Sequence, residues 1–187
     1  WEYQALTRAR VICAEGDLGT RFDDVMRSVL TAPRDADKIL ADVAEMRTRL
    51  RNQYGTEEIW LPKHLRGGLV DIEFVVQYLQ LRHAAGYPDI LVRDTVSVLE
   101  RAVEDNLVDK KFAVELIEAT VLWRNLQGIL RLTVEGSFDA ATAAPASKTV
   151  IARACGAVNF GALMQTMHAI AERTKTHVGT VFPPALS

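Results

Sequence analysis

An all-α bundle is the fold class this sequence predicts, and three observations carry the prediction. Long stretches repeat apolar residues at three- and four-residue spacing. Asp, Asn or Gly stands at most boundaries between those stretches. Outside the neighbourhood of Trp60, no segment alternates apolar and polar residues as a strand would. The expected architecture is an irregular bundle of about seven or eight helices. Residues 1–187 are read as a single helical domain, with 1–135 as the main bundle, 136–147 as a loop, and 148–187 as C-terminal helices packing on it.

The first helix is expected from Trp1 to about Cys13, with Trp1, Ala5, Leu6, Ala9, Ile12 and Cys13 on one broad arc. Glu2 falls inside that arc, and Arg8 and Arg10 flank it, their stems on the core and their heads free to reach a carboxylate. Glu15-Gly16-Asp17-Leu18-Gly19 stops it. A short helix from Thr20 to Leu30 follows, with Phe22, Val25, Met26 and Val29, and Pro33 lies just beyond. Asp35 or Asp37 caps a helix to about Asn52 whose seam is Ile39, Val43, Met46 and Leu50. Arg47 sits beside this seam, either as a solvated charge or as a buried bidentate partner for Asp71 or Glu73.

Residues 54–66 read as an irregular connection with a short extended piece at Glu58 to Leu61. Gly67-Gly68 then feeds the helix on which the whole chain depends. Glycine adopts positive φ freely and lets a neighbour approach closely. Asp71 and Glu73 fall in the first turn, where the helix dipole favours negative charge. Ile72, Val75, Val76 and Leu79 share one side of this helix, and Phe74, Tyr78 and Leu81 another. Two thin polar wedges separate them: Glu73, Gln77 and Gln80 in one, Asp71 and Arg82 in the other. A helix apolar over two arcs is packed on at least two sides. Its wedge carboxylates are therefore expected to be partly buried and to need cationic donors.

This helix stops at Gly86-Tyr87-Pro88. Asp94 caps the next, through Asp105, with Val96, Leu99 and Val103 apolar. Asp109 caps a long helix to Val134 with a seam of Phe112, Leu116, Ala119, Trp123, Leu126 and Leu130; Gly128 within it is read as a close helix crossing. A helix from Lys148 to Cys155 precedes the last one, which Asn159 caps and Pro183-Pro184 ends. That helix repeats Leu163, Met164, Met167, Ile170, Thr174 and Val178 on one face.

Composition narrows the function classes. With 49% apolar residues in 187, the chain can bury a substantial core. A net charge of −2 gives no general attraction to nucleic acid or to an anionic membrane, and no apolar run approaches the ~20 residues that span a bilayer. Cys13 and Cys155 lie far apart within helical patterns and read as two buried thiols of a cytoplasmic protein. His64, His83, His168 and His177 form no metal-binding spacing, and neither a phosphate-binding P-loop nor a nucleophile elbow is present. Asp71 and Glu73, two apart on a helix, point in nearly opposite directions and cannot hold one ion between them. No catalytic or metal-ligating residue is assigned. The chain also opens on Trp1-Glu2-Tyr3-Gln4-Ala5-Leu6, already in helical periodicity without Met or a cap, which reads as a fragment of something longer.

Three segments then carry a resemblance. Trp1-Glu2-Tyr3-Gln4-Ala5-Leu6-Thr7-Arg8-Ala9-Arg10-Val11 resembles the WExQALxRARxV segment of the bacterial glutamine synthetase adenylyltransferases, the bifunctional adenylyltransferase/adenylyl-removing enzymes of nitrogen regulation. Val43-Ala44-Glu45-Met46-Arg47 is similar to their VxxMR stretch. Lys63, three residues, then Gly67-Gly68-Leu69-Val70-Asp71-Ile72-Glu73-Phe74-Val75-Val76-Gln77-Tyr78-Leu79 is similar to their KxxxGGIxDIEFxVQYL core. The resemblance is strongest over residues 1–135. Departures are Trp60-Leu61-Pro62, where the family tends to have Phe-Asp-Leu, and Arg66, where a smaller residue is common.

The resemblance implies a helical bundle that follows a nucleotidyltransferase domain, more in keeping with the C-terminal, adenylylating half. The catalytic Gly-Ser…Asp-x-Asp pattern of such domains, which holds magnesium for transfer of AMP from ATP, is absent from these residues. The fragment alone is thus expected to be inactive and to hold no cofactor, with ATP and magnesium belonging to the parent enzyme. Implied partners are the nucleotidyltransferase domain in the same chain and glutamine synthetase. Glu2, Arg8, Arg10, Arg47, Lys63, Gly67, Gly68, Asp71, Glu73 and Gln77 are the candidates for a structural charge cluster or a wall of the nucleotide site. The alternatives are a regulatory module binding glutamine or a PII-type signal protein, and the equivalent bundle of a PII uridylyltransferase.

Overall fold

The computed structural model describes residues 1–183. Its described residues form eight α-helices and no strand: α1 (Glu2–Leu6), α2 (Leu18–Thr31), α3 (Ala36–Tyr54), α4 (Leu69–His83), α5 (Thr95–Glu104), α6 (Lys110–Thr133), α7 (Pro145–Ala154) and α8 (Phe160–Val181). A single 3₁₀ turn, Pro88–Ile90, separates α4 from α5. Side-chain caps set several starts. Asp35 accepts from the Asp37 and Lys38 amides, Asp94 from Ser97, Asp109 from Lys111 and Phe112, and Asn159 from Ala162.

The middle helix is central. It touches α1, α3, α5, α6 and α8. Ile72, Val75 and Val76 have no solvent exposure, and Phe74, Tyr78, Leu79 and Leu81 are also buried, so both apolar arcs are covered. One core runs from Leu30 to Phe182 and includes Ile151 of α7 and Leu163 and Met167 of α8. Within the polar wedge, Gln80 is fully buried and its amide donates to the Ile90 and Val92 carbonyls (3.0 and 2.7 Å), holding the turn after α4 in place.

Several sequence expectations need correction. The first helix ends at Leu6, not Cys13. Thr7 turns its hydroxyl back onto the Gln4 carbonyl (2.7 Å), and Arg93 Nε donates to the Ala9 carbonyl (2.9 Å), which a continuing helix would have offered to the Cys13 amide. Side chains from α5's approach thus replace a turn of helix. The extended piece at Glu58 to Leu61 is a turn, closed by Leu61 N–H on the Glu58 carbonyl (3.0 Å); only an isolated bridge, Thr56 with Leu65, forms nearby. Helix α7 starts at Pro145 rather than Lys148, using proline at a first-turn position where no amide donor is needed. Gly128 marks no crossing: it is exposed, and a Cβ there would meet nothing within 4 Å. Neither cysteine is fully buried; Cys13 is exposed on a loop and Cys155 half-buried at the end of α7. Pro184, half of the expected C-terminal stop, lies outside the described residues.

Candidate functional site

Sequence places Gly67-Gly68 between an irregular connection and α4, and the structure shows what the pair accomplishes. Gly67 takes φ +76°, and a Cβ on it would lie 2.5 Å from the Ala171 carbonyl of α8. Gly68 has ordinary φ, −92°, but a Cβ there would lie 2.3 Å from the Pro62 carbonyl. Any side chain at either position collides with backbone, which does not yield cheaply. The turn can therefore seat its backbone directly against α8.

Around that turn a buried network closes. Arg47 Nε of α3 donates to Asp71 Oδ1 of α4 at 2.7 Å, and the Gly67 amide donates to Asp71 Oδ2 at 2.8 Å. The Gly67 carbonyl in turn accepts from Trp123 Nε1 of α6 at 3.1 Å. The Arg47 and Asp71 side chains are only 8% and 10% exposed, so this is an ion pair inside the core rather than a surface contact. The Phe182 ring sits 5.8 Å from the Arg47 guanidinium carbon and covers its far side. Asp71 thus joins α3 and the glycine turn to α4, and the same turn is tied to α6 through Trp123. Each Asp71 oxygen accepts one of these bonds, which makes the carboxylate a brace between elements.

The other candidate residues are dispersed. Glu73 is exposed and forms no ion pair among the described residues, so its expected burial is not observed. Gln77 accepts from Gln4 Nε2 at 3.0 Å and ties α1 to α4. Arg8 is half-buried and points away from Asp71, donating to the Arg93 carbonyl and to Thr95 Oγ1. Burial lowers the Arg8 pKa below its ordinary value, with the fields of Glu73 and Asp94 opposing that shift and Arg124 adding to it. Glu2, Arg10 and Lys63 are exposed and form no ion pair within 4 Å among the described residues. Arg10 is therefore no brace for Asp71 or Glu73, because the chain has left its helix by then and carries that side chain outward.

Sequence reasoning missed three polar contacts of equal weight. Trp123 was read only as an apolar seam residue, although a buried indole N–H needs an acceptor. Arg93, which holds the end of α1, sits in a loop without a pattern. His177 of α8 bonds Glu115 of α6, with Arg173 Nε 3.9 Å from the same carboxylate. Spacing within one helix cannot reveal such cross-helix pairs. No group of three or more His, Cys, Asp or Glu residues able to hold a metal occurs among the described residues. Among the described residues, no helix is long and apolar enough to cross a membrane.

Comparison with known proteins agrees with this architecture. Residues 37–182 match the family model described as GlnD PII-uridylyltransferase. A bifunctional glutamine synthetase adenylyltransferase/adenylyl-removing enzyme of Rhodopseudomonas palustris (strain TIE-1) is 42% identical over 97% of this chain. Proteins of the same description from Xanthobacter autotrophicus and from Bradyrhizobium sp. (strain BTAi1) are 38% and 40% identical, over 97% and 100% of the chain. In each case the chain spans 18% of the relative's length. The chain belongs to this family of helical domains, which the PII-uridylyltransferase model describes and to which its matches among the glutamine synthetase adenylyltransferase/adenylyl-removing enzymes are similar along nearly its full length.

Proposed function

We propose that this chain is the helical bundle of an ATP-dependent protein adenylyltransferase that modifies glutamine synthetase, and that it supports a neighbouring nucleotidyltransferase active site and docks the protein substrate. The observation that carries this reading is the 42% identity over 97% of the chain to an enzyme more than five times its length. The geometry is consistent with support rather than catalysis: the Arg47–Asp71 pair is buried and joins α3 and α4 to the glycine turn. Ile12, Leu18, Phe22 and Val25 form an open apolar wall on α2 and the loop before it, all at least 44% exposed. Exposed apolar side chains gathered on one face suit a contact with another domain, and a neighbouring domain of the same enzyme is the occupant this reading gives it. ATP and magnesium would be held by that neighbour, and a cytoplasmic location belongs to the same proposal.

The test is a chimera. This chain replaces the matching segment of the Rhodopseudomonas palustris enzyme, and transfer of AMP to glutamine synthetase is assayed. Retained transfer by the chimera, with none by the isolated chain, is the expected result. A folded but inert chimera, or transfer by the isolated chain, overturns the reading. The match of residues 37–182 to a PII-uridylyltransferase model favours a second reading, a regulatory module for glutamine or a PII-type protein. Calorimetric titration of the chain with each would give saturable heat only on that reading.

A further inference from the structure

The connection that precedes the glycine turn walls a cavity that the brace does not use. It lies between residues 54–66 and the C-terminal end of α6, with a volume of about 440 Å³, within the range of small-molecule sites. No Asp or Glu lines it. Lys63 reaches it from the connection and Arg131 from the last turn of α6, and neither makes a side-chain hydrogen bond or ion pair among the described residues. The acids nearest Lys63 in sequence are otherwise engaged. Glu57 takes Lys175 at 3.2 Å and Arg66 at 3.8 Å, and Glu58 accepts from the Trp60 amide at 3.3 Å.

Two further features narrow the ligand. Tyr54 and His64 lie ring to ring at the cavity, centroids 5.4 Å apart and tilted 36° to one another, so each offers an aromatic face to a ligand. Trp60, also on the wall, is fixed by Phe138 and Phe160, at 4.5 and 5.6 Å between centroids, so this side is rigid before anything binds. His64 is held below its ordinary pKa by burial and by Lys63, which leaves its ring neutral at pH 7 and able to accept a hydrogen bond. The Gln127 amide on the opposite wall offers both a donor and an acceptor. The α6 terminus opposes an anion, carrying roughly half a negative charge. Arg131 in its last turn offsets that, and Lys63 leaves the cavity net positive.

We propose that this cavity binds a small anion built on a planar ring, of the nucleoside monophosphate class. The phosphate lies between Lys63 and Arg131, and the ring lies on the Tyr54–His64 surface with its polar edge toward Gln127. A flat face, a hydrogen-bonding edge and a phosphate are the three features the walls offer partners to. The site does not depend on the function proposed above.

The probe is AMP, titrated into the purified chain and followed by calorimetry and by backbone amide spectra, with adenosine and inorganic phosphate as the two half-ligands. Saturation with Kd below about 1 mM is expected, with each half-ligand roughly 10-fold weaker or more. The double variant K63Q/R131Q is expected to keep its melting temperature, since both side chains are exposed and unpaired, and to lose about 10-fold in AMP affinity. AMP that fails to saturate, adenosine that binds as tightly as AMP, or undiminished binding to the double variant would each overturn the proposal.

Discussion

Trp123 donates its indole N–H to the carbonyl of Gly67, 56 residues earlier in the chain, at 3.1 Å. The amide of that same glycine donates to Asp71, so one residue without a side chain has both its N–H and its C=O bonded to side chains. A buried indole N–H and a buried carboxylate oxygen therefore each find a partner in the backbone of a single residue. The arrangement demands glycine twice over, for the φ of +76° and for the 2.5 Å approach of the Ala171 carbonyl. Gly67→Ala is expected to lose at least ~2 kcal/mol of stability, from left-handed strain plus displacement of α8. Urea unfolding measures it. Trp123→Phe, which keeps the ring but removes the donor, should lose about 1–2 kcal/mol by the same measurement. A smaller loss for Gly67→Ala than for Trp123→Phe would mean that α8 gives way easily.

Removing one member of the Arg47–Asp71 pair leaves the other buried without a counter-charge. Arg47→Met should destabilise by about 3–5 kcal/mol. The double change Arg47→Met with Asp71→Leu should recover part of that loss, because no uncompensated charge remains, although the Gly67 amide is then left without its acceptor. A double-mutant cycle in urea reads the coupling directly. Additive losses would show that the pair contributes only as two independent packing residues.

Gly128 gives a prediction of opposite sign. It lies within α6, its φ is not positive, and the space a Cβ would fill is empty. Gly128→Ala should therefore stabilise the chain by about 0.5–1 kcal/mol, the ordinary advantage of alanine over glycine in a helix. A rise in melting temperature checks it. An unchanged or lower melting temperature would overturn it.

What could be read beforehand follows the range of the interactions concerned. Caps at Asp35, Asp94, Asp109 and Asn159 are local, made by a side-chain oxygen two or three residues from the amide that donates to it, and the residues alone identify them. The burial of α4 on both arcs was equally legible, since one helix carried two apolar faces. The end of α1 was not, because Arg93 sets it from 84 residues away. Glu73 and Asp71 looked alike on paper. Only the position of α3, which brings Arg47 to one and leaves the other open, tells them apart. Gly128 and Gly67 likewise share a residue type, yet one faces solvent and the other a helix backbone.

The two cysteines should differ sharply in reactivity. Burial pushes the Cys155 thiol up to about 11, so very little thiolate exists at pH 8. Cys13 is exposed on its loop. Iodoacetamide at pH 8 should label Cys13 quickly in the folded chain and Cys155 only after denaturation, as mass spectrometry of peptides would report. Equal labelling of both in the native chain would mean that the end of α7 opens readily.

Acid should act first through the α6–α8 contact. Glu115 accepts a hydrogen bond from His177 and is held below its ordinary value of 4.5, chiefly by that bond, with Arg173 and Lys111 adding to it against the effect of burial. A carboxyl whose folded-state pKa is depressed binds fewer protons folded than unfolded between the two values. Its stabilisation is fully present above the unfolded value, and is lost as pH falls below about 4.5 and through the folded value. Asp94 shifts in the same direction: burial alone would raise it, but the Ser97 amide and the Arg124 side chain together outweigh burial. Melting temperature should accordingly be flat from pH 7 to about 5 in these two groups' contribution and then fall. Glu115→Gln should melt lower at neutral pH and decline less steeply in acid, since it has no proton to take up at that position. Parallel acid profiles for the variant and the parent would remove Glu115 from the titration and leave the decline to the remaining carboxylates.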